Sequence, residues 1–186
     1  MTLATPTIPG YLTGTWSIDP VHSDVSFSVR HMMVSKVKGR FGSFSGTIVT
    51  AENPADSSVT AEIDLSSIDT NNAQRDDHIR SRDFFEVEKY PTMTFASTSL
   101  KADGADYLLT GDLSLKGVTK GVTLKLELNG IGPDAYGGTR AGFSATTEIS
   151  RKEFGVDIDM PMDGGGVVIG DKISITLEIE AVLDAA

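Results

Sequence analysis

The sequence contains no cysteine. Disulfide frameworks, thiolate nucleophiles and cysteine-ligated zinc are therefore excluded. Positive charge is also scarce: 16 Lys and Arg stand against 26 Asp and Glu, for a formal net charge of −10 and a pI of about 4.6. A field of that sign repels phosphate backbones and anionic lipid surfaces, which argues against nucleic acid as a partner. The one small basic cluster, Lys38-Gly39-Arg40, does not change the balance. No apolar run reaches the roughly 18 residues that a membrane-spanning helix needs. The opening MTLATPTIPGYLTGTW has no Lys or Arg and no apolar stretch of the signal-peptide kind, so cytoplasm is the expected location.

Catalytic signatures are missing as well. There is no G-x-S-x-G elbow, no P-loop, no H-E-x-x-H and no complete dinucleotide-binding glycine fingerprint after a strand. The acidic stretch Asp157, Asp159, Asp163-Gly164 resembles a calcium loop only faintly, because Pro161 stands at a ligand position and no Glu closes the loop. Neither a metal nor a catalytic residue is expected.

The remaining composition, 39% hydrophobic and 23% charged over 186 residues, is that of one full-sized globular domain. Residues 1–13, with Pro6, Pro9 and Gly10, read as a loose tail, leaving 14–186 as a single domain. Most of that domain alternates apolar and polar residues with a period of two. Val25, Phe27, Val29 and His31 oppose Asp24, Ser26, Ser28 and Arg30, and Val59, Ala61, Ile63 and Leu65 oppose Thr60, Glu62 and Asp64. Tyr107 to Leu115, Val122 to Leu128, Ala141 to Ile149 and Ile173 to Ile179 repeat the pattern. Such strands bury one face each. Phe41 and Phe44 are three apart, which predicts a bulge or bend between them. His31 to Val34 is compatible with a helical turn, Gly130 to Gly138 with a loop, and Arg151 to Gly166 with a long one. Eight or nine strands with one wet face each predict an antiparallel barrel in preference to a sandwich, and Ala61, Gly111, Ala141 and Ala145 on apolar faces leave room inside unless larger neighbours fill it.

One stretch breaks the alternation: Ser67 to Phe95 opens with cap residues, runs through dense charge and closes on Phe84-Phe85 and Tyr90-Pro91. It predicts one short helix over 73–83, capped by Asn71 or Asn72 and docked on the barrel, because an isolated helix of this length is marginal in water. Arg75, His78 and Arg82 share a face at helical spacing, where the guanidinium forks suit phosphate or carboxylate oxygens; surface ion pairing of Arg75, Asp76, Asp77 and Arg80 is the competing reading. His22 beside Asp19, Ser23 and Asp24 reads as a turn network, since neighbouring strand residues point to opposite faces and His22 and Ser23 do not share a proton. His31 reads as a hydrogen-bonded rim histidine.

Several motifs resemble those of the YceI-like family: Asp19-x-x-His22-Ser23-x-Val25-x-Phe27-x-Val29-x-His31, Gly39-x-Phe41-x-x-Phe44-x-Gly46, Ser67-Ile68-x-Thr70, Arg75-Asp76-x-His78-Ile79-x-Ser81-x-Asp83-Phe84-Phe85, Tyr90-Pro91-x-x-x-Phe95, Gly111-x-Leu113-x-x-x-Gly117-Val118-Thr119-Lys120 and Arg151-x-x-Phe154-Gly155. The similarity runs from about Trp16 to Ala181. Gly121, where the family has Pro, and Ile79, where it usually has Leu, are departures. The resemblance implies an all-β, eight-stranded antiparallel lipocalin-like barrel with the short helix packed at one end or side. It also implies a homodimer, and a polyisoprenoid lipid or isoprenoid quinone held in the lumen for transport or storage without catalysis. An enzyme acting on an isoprenoid-type substrate is the alternative.

On that reading the tunnel lining is Phe27, Phe41, Phe44, Ile63, Phe95, Leu113, Leu126, Phe143 and Ile175. Arg75, His78 and Arg82 form the polar headgroup end. A prenyl chain needs a dry, long, apolar enclosure and few polar contacts, and each buried CH₂ contributes about 0.8 kcal/mol.

Overall fold

The computed structural model describes residues 8–32, 34–158 and 169–185. Met33, the first part of the predicted tail (1–7) and the glycine-rich part of the predicted long loop, with Asp159 and Asp163, lie outside the described residues.

The strands are β1 (Gly14–Ile18), β2 (Asp24–His31), β3 (Ser35–Phe41), β4 (Phe44–Thr50), β5 (Ser58–Asp64), β6 (Ile68–Asp69), β7 (Thr92–Asp103), β8 (Asp106–Leu115), β9 (Val118–Pro133), β10 (Thr139–Ser150) and β11 (Ile169–Leu183). All pairings are antiparallel. The ring β1-β4-β5-β7-β8-β9-β10-β11 closes through a β1–β11 ladder, and β2, β3 and β6 extend it from the same edge of β11. The first six segments are three long strands, each interrupted once. β1 and β2 are split at Asp19-Pro20, where the Asp19 carboxylate accepts a hydrogen bond from the Val21 amide at 2.9 Å. β3 and β4 are split at Gly42-Ser43, the bend that the Phe41/Phe44 spacing predicts. β5 and β6 are split by a 3₁₀ turn at Leu65–Ser67. Counted this way the barrel has eight strands.

Some boundaries differ from the sequence reading. His31 pairs with Ser35 at the end of a β2–β3 hairpin instead of entering a helical turn, with Val34 N–H donating to His31 O at 3.2 Å. The Lys116–Gly121 turn shrinks to Lys116-Gly117, both at positive φ (52° and 76°), as a two-residue hairpin requires. β9 continues through the expected Gly130 loop to Pro133, because Gly132 and Ile131 still pair with Arg140 and Ala141.

The single α-helix among the described residues, α1, is Ala73–Arg80, shorter than the predicted 73–83. Asn72 is its N-cap, accepting from the Arg75 amide at 3.0 Å. Ser81 ends it in an extended conformation, its hydroxyl donating to His78 O at 2.5 Å. Arg82 therefore lies beyond the helix and does not share its face.

Buried Asp76 accepts from both the amide (2.8 Å) and the hydroxyl (2.5 Å) of Thr70, and Arg75 donates from Nε to that hydroxyl and from Nη2 to Thr70 O. Arg80 reaches back to the carbonyls of Ser66 and Ile68. These bonds fix α1 beside β6, where β5 but not β6 pairs with β7. Phe84, buried, meets His78, and Phe85, half-buried, packs on the main core beside the Phe41 ring.

Candidate functional site: two joined apolar chambers

Inward-facing residues of a filled barrel are buried. Here many are only half-buried although they point inside: Phe44, Ile48, Val59, Ala61, Phe95, Leu126, Phe143, Ile175 and Ile179. The surface they expose faces an internal chamber of about 230 Å³ with an almost wholly apolar wall. A second chamber, of about 520 Å³, lies under the β2–β3 hairpin and α1. Val25, Met93 and Ile175 line both, so the chambers meet end to end. The second chamber's volume alone belongs to the range of small-molecule sites, roughly 300–1,000 Å³.

Phe44, Ile63, Phe95, Leu113, Leu126, Phe143 and Ile175 lie on the wall of the first chamber, and Phe27, Phe41 and Ile175 on that of the second. Arg75 and His78 lie at the second chamber's outer end. Arg82 is exposed and lies on neither wall. His78 faces the Asp83 carboxylate at 3.0 Å and meets the Phe84 ring edge-on. The sequence reading had His31 at the rim but omitted Arg30, Asn72 and Gln74, which complete the polar rim with His31, Arg75 and His78, and it omitted Trp16, Leu109, Leu124 and Leu177 inside. The inner four carry the same two-residue period as the chosen ones. Arg30, Asn72 and Gln74 have no sequence signal of their own, because only the docking of α1 beside β6 brings them to one chamber.

The chambers' small residues behave unequally. At Gly111 the space of the missing side chain is filled: a Cβ there would stand 2.5 Å from the Phe95 ring and 2.6 Å from Ala96 O. Ala141 is buried in the Trp16 cluster. Ala61 is half-exposed to the first chamber. At that chamber's far end Ile8 and Tyr11 join the wall, and the Tyr11 hydroxyl donates to Ala51 O.

A separate polar cluster lies outside both chambers. His22 Nδ1 and Arg140 Nη1 each lie 2.8 Å from the same Asp19 oxygen, and Arg140 also binds Glu180 (2.9 Å) and Asp134 (3.0 Å). The His22 hydrogen bond, followed by that from Arg140, holds the Asp19 carboxyl far below the usual range. The carboxylates in turn push the Arg140 guanidinium up. Asp19, His22 and Glu180 are the residues that could hold a cation, with ligand atoms within 4.8 Å of one another. The guanidinium already binds an oxygen of each carboxylate, so the cluster staples the Asp19-Pro20 break to β10 and β11. Ser23 bonds instead to the Glu180 backbone, so it shares no proton with His22.

A sequence profile of the YceI-like domain matches residues 16–181. The chain is 48% identical over 140 residues to protein YceI of Escherichia coli, covering 75% of this chain and 73% of that one. Among solved structures, the YCEI protein of Campylobacter jejuni superposes with a TM-score of 0.72 at 30% identity, over 84% of this chain and 90% of that one. A polyisoprenoid binding domain from Saccharophagus degradans shares the fold, with a TM-score of 0.70 at 19% identity, over 91% of this chain and 98% of that one. A closed barrel holding an apolar lumen, a profile spanning nearly every strand and close relatives over three-quarters of the chain lead to one assignment: the chain belongs to the YceI-like family.

Proposed function

We propose that this protein binds a long-chain polyisoprenoid, as a prenyl lipid or quinone, in the joined chambers and carries or stores it without chemical change. The observation that supports this most is the exposure of inward-facing apolar side chains to an apolar lumen whose two chambers share Val25, Met93 and Ile175. An apolar wall left uncovered inside a barrel loses the burial that would otherwise stabilise the fold, and a greasy chain restores it. A five-carbon unit contributes up to about 4 kcal/mol gross, so a few units suffice for tight binding after ordering costs. Arg75 and His78, on the wall of the second chamber, are the proposed headgroup end. Among the described residues, the groups with displaced pKa values, Asp19, Asp134, Arg140 and Asp171, lie off the chamber walls, which favours binding over catalysis. The fold shared with a polyisoprenoid binding domain agrees with this reading.

Native mass spectrometry of the purified protein, before and after solvent extraction, tests the proposal. Release of a prenyl lipid and reuptake of a prenyl probe are expected. Protein that is repeatedly empty and takes up no probe would refute the carrier reading. We also propose the homodimer that the family resemblance implies; a single-chain mass in sedimentation equilibrium would refute it.

A further inference from the structure

The chain carries a formal charge of −10, yet between Asp24 and Glu52 it has no acidic residue and four cations: Arg30, Lys36, Lys38 and Arg40. The structure gathers all four on one surface. β2 and β3 turn Val25, Phe27, Val29, Val37 and Phe41 toward the second chamber, so the alternate positions face out. The register pairs Arg30 directly with Lys36, Ser28 with Lys38 and Ser26 with Arg40. The result is an exposed basic stripe along the outer face of one hairpin. Arg40 lies 3.8 Å from Asp69; Arg30, Lys36 and Lys38 make no ion pair among the described residues.

The hairpin's tip is apolar and bare. Val34 is 88% exposed and Met32 42%. The same hairpin forms the wall of the larger chamber, and Arg30 and His31, next to the tip, belong to the chamber's polar rim. A protruding apolar tip flanked by cations, at the mouth of an apolar lumen, combines two forces that hold a protein on a bilayer surface: shallow insertion and attraction to anionic headgroups.

We propose that the β2–β3 hairpin docks this protein on an anionic lipid bilayer, with Val34 and Met32 entering the interface and Arg30, Lys36 and Lys38 resting on the headgroups, so that the larger chamber opens toward the membrane. An acidic protein partner would satisfy the cations but gives no reason for the bare tip. The inference rests on the proposed prenyl cargo for its purpose, though not for its geometry. The overall negative charge makes the contact orientation-selective, because every other face is repelled.

Vesicle flotation tests it, with phosphatidylglycerol–phosphatidylcholine vesicles set against pure phosphatidylcholine. Wild type is expected to float with the anionic vesicles only, and to be released by high salt, since the Debye length shrinks from about 10 Å at 0.1 M to about 3 Å at 1 M. Each cation near such a surface is worth about fivefold in affinity, so Lys36→Glu with Lys38→Glu lowers binding by at least roughly thirtyfold. Val34→Asp lowers it as well, although Val34 makes no packing contact to lose. Neither change touches a chamber wall, and glutamates keep the β3 edge charged, so solubility is not what changes.

Uptake of a dansyl-labelled prenyl alcohol from detergent micelles is measured in parallel and is expected to be unchanged in all variants. Wild type that ignores anionic vesicles, or variants that float as well as wild type, would overturn the docking hairpin while leaving the carrier reading intact. Failed probe uptake by wild type would strike the carrier reading instead. Loss of an acidic protein partner in the variants, without vesicle binding by wild type, also overturns the proposal.

Discussion

Ala61→Leu separates a barrel with a vacant interior from one with a filled core. Ala61 lies on β5 between Gly46 and Phe95, half-exposed, and its exposed side faces the first chamber. Three carbons added there meet empty space. At about 0.8 kcal/mol per buried CH₂ they can stabilise the delipidated protein by up to ~2.4 kcal/mol. In a close-packed core the same change destabilises by about 1–3 kcal/mol, so the two pictures predict opposite signs. The added carbons also occupy volume that a prenyl chain would fill. The ligand loses a comparable gross contribution, and its affinity is expected to fall by one to two orders of magnitude. Urea denaturation of extracted protein, read at constant m-value, gives the first quantity, and titration with a fluorescent prenyl probe gives the second. A variant destabilised by 1–3 kcal/mol that takes up probe as well as wild type would refute the reasoning, because the chamber would then be neither vacant nor occupied by ligand.

Other perturbations report on other parts of the molecule. Asp76→Ala leaves the buried Thr70 amide and hydroxyl without their acceptor and is expected to destabilise by about 1–3 kcal/mol, with faster amide exchange across α1; unchanged exchange would show that the helix is held by other contacts. Gly39→Ala and Gly111→Ala should differ. A Cβ at Gly39 meets the far end of the Phe27 ring at 2.4 Å, which can swing into the second chamber, so probe uptake falls with little loss of stability. At Gly111 the obstacle includes the Ala96 backbone at 2.6 Å, and a loss of about 1–3 kcal/mol is expected. Equal urea midpoints for the two variants would contradict this. Asp19 is held below its ordinary value of 3.8 in the folded protein, so its pairing contributes stability above that value and loses it as pH falls from about 4 toward the lower folded value. The gap in urea midpoint between wild type and Asp19→Asn should therefore narrow below pH 4; a gap constant down to pH 2.5 would show that the charge is not what matters.

The barrel was legible because one face of each strand must be dry. The period of two in Val25 to His31 or Val59 to Leu65 leaves only one orientation, and the Phe41/Phe44 slip located the bend correctly. Glycine was read less well. Gly111 looked like spare room, but the Phe95 ring that fills it belongs to a neighbouring strand, and cross-strand register does not follow from composition. The helix was placed but drawn too long. Charge patterning continues smoothly through Arg82, whereas the stop comes from a single Ser81 conformation and its bond to His78 O. That error alone put Arg82 on a face it does not share. The inner wall followed from alternation; of the polar rim only His31, Arg75 and His78 were legible, since Arg30 and Gln74 stand 44 positions apart in sequence and come to one chamber only through the docking of α1.

Ring closure has a consequence for how the molecule behaves in a crowd. Strand-rich proteins with vacant, oily interiors invite fibre formation through unpaired backbone at their borders. Joining β1 to β11 removes most of that border. Ser35 to Gly39 of β3 is one of the stretches left with strand pairing on one side only, and Lys36 and Lys38 are spaced along it. A second copy approaching to add a strand there would bring the same charges against them, which opposes polymerisation through that edge.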